Sequence, residues 1–202
     1  MRQKSSAVIP VAVFIVVAAY LLFQNFAPHW HHAYAANSIQ VWFSPKGGCT
    51  EDVVDELNRA KTSVFVQAYS FTSPPIANAL VDAMRRGVKV QVILDKSQLE
   101  EKNTELPFLA QSSVPTWIDS RHAIAHNKIM IIDGETVLTG SFNFTRQAED
   151  HNAENLIAIH GAKDLAAQYT ENWEAHQSHS EPYRDGMRLE GKRRSEERRD
   201  EE

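Results

Sequence analysis

His126-Asn127-Lys128 is followed after four residues by Asp133 and, six residues later, by Gly140-Ser141-Phe142-Asn143. In a strand, alternate side chains share a face, so His126 and Lys128 project together while Asn127 points away. Asp133-Gly134 between two apolar runs predicts a two-residue hairpin turn, because both central positions of that turn take positive φ. Such a turn would set His126 opposite Ser141 and Lys128 opposite Thr139, with Asn143 one step beyond Ser141 on the same face. An imidazole, an ammonium, a hydroxyl and an amide then converge. That grouping suits a phosphate: Lys128 neutralises charge, Ser141 and Asn143 donate hydrogen bonds, and His126 can attack phosphorus or move protons near neutral pH.

The elements that must hold these residues alternate along the chain. Residues 39–43 read as a short strand, and Thr50 with Glu51 and Asp52 reads as the capped, acidic start of a helix reaching about residue 60. Residues 63–69 form a β-branched and aromatic strand, after which Ser73 and Pro74 open a helix that Gly87 ends. A buried strand at 88–94, a weaker helix at 105–110 and strands at 115–119, 125–132, 135–141 and 153–159 follow, with a closing helix at 163–176. This order predicts an α/β fold, a mixed β-sheet with helices on both faces in one domain.

Both ends differ from this middle. Arg2 and Lys4 precede an uncharged stretch at 7–23, long enough to enter a bilayer, so residues 1–35 read as a signal peptide or an N-terminal membrane anchor. Ala33-Tyr34-Ala35 has the small residues of a cleavage site. Either outcome predicts an exported protein, periplasmic or secreted, or held at the inner membrane. Residues 181–202 are dense in both charges, poor in aliphatics, and read as a solvated tail. Residues 36–180 then read as the one folded domain, the one that would carry any catalysis.

The chain of 202 residues has 21 Lys+Arg against 26 Asp+Glu, a formal charge of -5, which excludes a generally basic nucleic-acid coat. Any anion site must be built locally. A single Cys, Cys49, excludes an internal disulfide framework and any multi-cysteine metal site within one chain.

The pattern HxK, four residues, D, six residues, GSxN resembles the signature of the phospholipase D superfamily, and its surroundings resemble the small bacterial endonuclease branch. Supporting phrases are Phe43-Ser44-Pro45-Lys46-Gly47-Gly48-Cys49, Gln67-Ala68-Tyr69-Ser70-Phe71-Thr72-Ser73, Leu94-Asp95-Lys96-Ser97 and Asn152-Ala153-Glu154-Asn155. The resemblance implies that His126 is the nucleophile of a phosphohistidine intermediate. Lys128 and Asn143 would hold the phosphoryl oxygens, Ser141 would assist, and Glu154 would hydrogen-bond and orient the histidine. Asp133, at the turn, is expected to be structural together with Gly140. The chemistry so implied needs two histidines where the chain supplies one copy of the motif, so a homodimer with a two-fold site is expected. No cofactor and no catalytic metal are implied.

The activity expected on these grounds is metal-independent endonucleolytic hydrolysis of DNA without sequence preference, with RNA left open as a further substrate. Two rivals stand beside it: hydrolysis of a phospholipid headgroup, with residues 7–23 providing membrane association, and non-catalytic binding of nucleic acid or membrane. His122, His151, His160, His176 and His179 read as ordinary surface or core histidines. The cluster His29, His31 and His32 has poor geometry for a metal. Lys46-Gly47-Gly48 reads as a loop before a helix, Cys49 as a buried thiol, and Lys96 and Arg146 as candidate extensions of a basic lining.

Overall fold

In the computed structural model, which describes residues 36–184, 186 and 187, the apolar runs of the chain become the middle of a single mixed sheet. Its strands are β1 Ser38–Ser44, β2 Ser63–Ala68, β3 Lys89–Asp95, β4 Thr116–Asp119, β5 Lys128–Ile132, β6 Thr136–Gly140, β7 Glu154–His160 and β8 Glu181–Pro182. They lie in the order β1-β7-β6-β5-β2-β3-β4-β8, with β2, β3 and β4 parallel and the other neighbours antiparallel. The helices are α1 Cys49–Arg59, α2 Pro74–Arg85, α3 Leu106–Gln111, α4 Arg146–Asp150 and α5 Lys163–His179.

Strand alternation divides the core between two faces. Val64, Val66 and Ala68 of β2 pack with Val53 and Leu57 of α1 and with Ile76 and Leu80 of α2. Phe65, between them in sequence, turns the other way and stacks on Trp173 of α5 with ring centroids 5.0 Å apart. Trp173 also joins Ile93, Ile131, Val137 and Ala166, and its indole N–H donates to the Val66 carbonyl at 2.8 Å. Helices therefore cover both faces, as the alternating pattern implied.

The hairpin differs from its expected register. Asp133 and Gly134 do take positive φ, 54° and 66°, and the Glu135 N–H donates to the Ile132 carbonyl at 3.1 Å. Yet Ile132 pairs with Thr136 and Met130 with Leu138, so Glu135 is an extra residue and the pairing slides by one. Continuing that register, Lys128 faces Gly140 rather than Thr139, and His126 lies before the first residue of β5 rather than opposite Ser141. A one-residue slip sends Thr139 to the opposite face.

Other departures are local. Thr50 does not cap α1: Gly48 stands at the N-cap with φ 85°, and the Gly48 and Thr50 amides donate to the Glu149 carboxylate at 3.2 and 2.7 Å. α4 and β8 were not foreseen, and β8, pairing with β4, carries the fold two residues into the stretch read as tail. The uncharged stretch at 7–23, read from the sequence as part of a signal peptide or anchor, and residues 188–202 lie outside the described residues. Among the described residues no helix is long and apolar enough to cross a membrane.

Candidate active site

Three neighbouring strands, β7, β6 and β5, bring the sequence motif together at one end of the sheet. His126, Lys128, Gly140, Ser141, Asn143, Glu154 and Asn155 line one cavity of about 530 Å³. Gly140 makes this possible. Its φ is 144°, and a Cβ there would lie 2.2 Å from the Asn155 carbonyl oxygen, so only glycine allows the strands to approach. Just beyond it, the Ser141 and Phe142 amides both donate to that carbonyl at 3.1 Å, the bonding of a bulge. The bulge re-aims Ser141 and Asn143 after the register slip, which is why they reach the cavity by a different route from the one expected. The Ser141 hydroxyl accepts from the Asn155 backbone and side-chain amides at 3.1 and 3.3 Å, and neither bond uses its own proton.

Lys128 is 6% exposed. Its ammonium donates to the His126 carbonyl at 2.8 Å and stands 5.1 Å from the centre of the Tyr69 ring. Burial lowers its pKa, and the Glu154 carboxylate works in the other direction. The His126 ring is exposed and lies 4.6 Å from Tyr69, tilted by 54°. The segment carrying it is fixed from behind. The Tyr69 amide donates to the Asn127 carbonyl and the Asn127 side-chain amide to Gln67 Oε1, each at 2.9 Å. Asn143 Oδ1 is buried without a hydrogen-bond partner, which leaves the side-chain NH2 as the group able to donate to an anion in the cavity.

Glu154 lines the cavity but does not make the bond expected of it. Its carboxylate accepts from Asn152 Nδ2 at 3.1 Å, and its amide donates to Ser44 Oγ at 3.1 Å, where the expectation was a bond to His126. Ser44 in turn donates to the Asn152 carbonyl at 3.0 Å, so β1 and the turn before β7 hold this carboxylate in place.

Asp133 lies away from the cavity. Its carboxylate accepts from the amides of Lys61, Thr62 and Ser63 at 2.7 to 3.1 Å and from the Thr62 hydroxyl at 2.9 Å. Burial alone would raise its pKa, but these bonds outweigh it and hold the carboxyl below its usual range. It clips the hairpin to the segment entering β2 rather than bonding its own turn. Lys96 and Arg146 do not line the cavity: Lys96 donates to the His122 carbonyl at 2.9 Å and Arg146 pairs with Asp150 at 3.0 Å. Cys49 is fully buried, with burial pushing its thiol up to about 11.

Tyr69 and Asn155 were not singled out from the sequence. Tyr69 follows the C-terminal end of a parallel strand, where α/β sheets present their ligand sites, so its position carried a usable signal. The contact of Asn155 with Ser141 depends on the bulge, which no spacing announces.

A family model described as "Cardiolipin synthase, PLD-like domain" matches residues 53–177. The chain belongs to the phospholipase D superfamily. It is 43% identical over 137 residues to a protein of Rickettsia prowazekii named phospholipase D, covering 68% of this chain and 66% of that relative. Against the mitochondrial cardiolipin hydrolase of Xenopus laevis the identity is 34% over 102 residues, covering 50% of this chain and 49% of the relative. Among solved structures, Nuc, a phospholipase D family member from Salmonella typhimurium, is 39% identical with a TM-score of 0.70, covering 73% of this chain and 99% of Nuc. NucT from Helicobacter pylori, at 21% identity and a TM-score of 0.63, shares the fold. The matched stretch thus spans just under two thirds of the first Rickettsia protein and nearly all of Nuc.

Proposed function

We propose that this chain hydrolyses phosphodiesters through a phosphohistidine at His126, with the backbone of nucleic acid as substrate. The observation that carries the reading is the single cavity in which an exposed imidazole stands beside a buried ammonium, a hydroxyl and an amide. A ring nitrogen of His126 forms a bond to phosphorus as the bond to one ester oxygen breaks, and a second imidazole protonates the departing oxygen. Water then attacks, giving its proton to that second imidazole, and the nitrogen–phosphorus bond breaks. Lys128 and Asn143 meet the charge on the non-bridging oxygens, Ser141 donates its unspent proton, and Glu154 sustains the charge on Lys128.

The second imidazole comes, on this reading, from a second copy of the chain. Ile39, Val41 and Phe43 on the outer face of β1 are 67%, 51% and 64% exposed, an apolar strip on an edge strand. Phe43 pairs with Asn155, so the strip ends at the cavity. A two-fold contact on that strip would cover the apolar surface and face two His126 rings toward one phosphodiester. The uncharged stretch at 7–23 supports an exported enzyme.

The cavity lining holds no aliphatic side chain, which supports recognition of a phosphodiester without grip on acyl chains. The exposed strip and the lipid-related names of the Rickettsia and Xenopus relatives favour a second reading, a phospholipid headgroup as substrate. Purified protein is assayed in EDTA on plasmid DNA, RNA, and vesicles of phosphatidylcholine or cardiolipin. Nicking of nucleic acid that disappears in His126→Ala is the expected result. Lipid turnover without nicking reverses the substrate order, and full activity in His126→Ala removes the mechanism.

A further inference from the structure

Away from the cavity, one carboxylate and three imidazoles meet where the end of β4 approaches the end of α5. Asp119, the last residue of β4, has no exposed surface. His122 follows in the loop, and His176 and His179 lie in the last turn of α5, three residues apart and therefore on one side of the helix. Asp119 Oδ2 lies 2.8 Å from His176 Nδ1, 3.1 Å from His122 Nδ1 and 3.4 Å from His179 Nε2. The three rings crowd together, with centroids 4.8, 5.2 and 5.3 Å apart.

We propose that Asp119, His122, His176 and His179 bind one divalent transition-metal ion, zinc by preference, which ties α5 to the loop that leads to His126. All four candidate ligand atoms lie within 4.8 Å of one another. In a tetrahedral zinc site with bonds near 2.0 Å, ligand atoms sit about 3.3 Å apart. The three distances from Asp119 Oδ2 are already near that value, and the widest separation has roughly 1.5 Å to close. Imidazole nitrogens with one carboxylate oxygen form a borderline donor set that suits zinc.

His176 and His179 point at Oδ2, His122 stands between Oδ2 at 3.1 Å and Oδ1 at 3.2 Å, and Oδ1 also accepts from the Arg121 amide at 3.1 Å, so three imidazoles converge on one buried carboxylate. Protonating more than one ring would set like charges side by side, whereas a divalent ion takes one lone pair from each. Four protein ligands close the coordination sphere, so the ion is structural and takes no part in turnover. It would reinforce ties already present in that loop, where the Ala125 amide donates to Asp95 Oδ2 at 2.7 Å and Lys96 to the His122 carbonyl at 2.9 Å.

The test uses the full chain, stripped with a chelator, dialysed and titrated with zinc chloride against a competing chelator, without reference to phosphodiester turnover. Expected are one zinc ion per chain, a higher melting temperature with zinc, and tetrahedral visible absorption with cobalt(II) in its place. His176→Gln with His179→Gln should weaken binding by ~100-fold or more, as should the milder loop variant His122→Gln. Replacing His29, His31 and His32 by Ala should leave this zinc in place. Failure of the wild-type chain to retain stoichiometric zinc overturns the proposal. So does zinc lost only with His29, His31 and His32, or cobalt absorption unchanged in His122→Gln.

Discussion

Lys128 is a cation that burial disfavours and a carboxylate sustains, and that balance gives the site a pH signature. Its pKa is lowered by burial and raised by Glu154, so the ammonium loses its charge as pH climbs toward, but before reaching, its ordinary 10.5. Activity should fall on the alkaline side over that interval. In Glu154→Gln the upward pull is gone, and the alkaline limb of the kcat/KM profile should move to lower pH; an unmoved limb would separate Glu154 from Lys128. Lys128→Ala should reduce kcat on the order of 10² to 10³-fold, the usual cost of removing one group that meets charge developing in the transition state. Tyr69→Ala removes the ring beside His126 and Lys128 and should lower kcat more than it raises KM, measured by steady-state kinetics. That His126, Lys128, Ser141 and Asn143 meet was legible in their spacing, while Glu154, which lines the same cavity, was reached through the family resemblance. The Glu154 partner was not legible, because Asn152 and Ser44 reach it only after β1 and β7 have paired. Nor was the meeting of Asp119 and His122 with His176 and His179, since their spacings alone do not reveal that β4 and α5 end side by side.

The hairpin carries the site, and its two fixed points make opposite demands. Asp133 is a remote clip: Asp133→Asn should cost about 2 kcal/mol through weakened bonds from three backbone amides, measured by urea unfolding, with kcat of the folded enzyme preserved. Because its folded pKa is depressed, that contribution is present above the ordinary carboxyl range and is lost as pH falls through the folded value. The stability gap between wild type and Asp133→Asn should therefore narrow in acid. Gly140→Ala, by contrast, drives a methyl into the Asn155 carbonyl and should lose on the order of 3 kcal/mol or more together with activity. Strand and helix types were readable from β-branched and aromatic content in segments such as residues 63–69 and from the Ser73-Pro74 helix start. The register was not: the Asp133-Gly134 turn has the expected dihedrals, but one extra residue, Glu135, changed every pairing after it. Short elements such as β8 have too few residues to show a period and exist because a neighbouring strand edge, β4, is there to pair with.

At the scale of the whole molecule, the proposed shared site rests on one motif per chain and on the apolar edge of β1. Val41→Asp with Phe43→Asp places charge on the strip without touching the core and should yield monomers in sedimentation at micromolar concentration. Those monomers should keep their fold and lose most turnover with His126 intact; fully active monomers would end the shared-site account. The most direct measurement of the central claim is a rapid base quench of the enzyme with end-labelled oligonucleotide. Attack by His126 leaves one ester in place, so the fragment should stay covalently bound to the protein through an acid-labile bond that peptide mapping places on His126. The adduct should be missing from His126→Ala. Cleavage at the wild-type rate in that variant, or an adduct on any other residue, would contradict the mechanism.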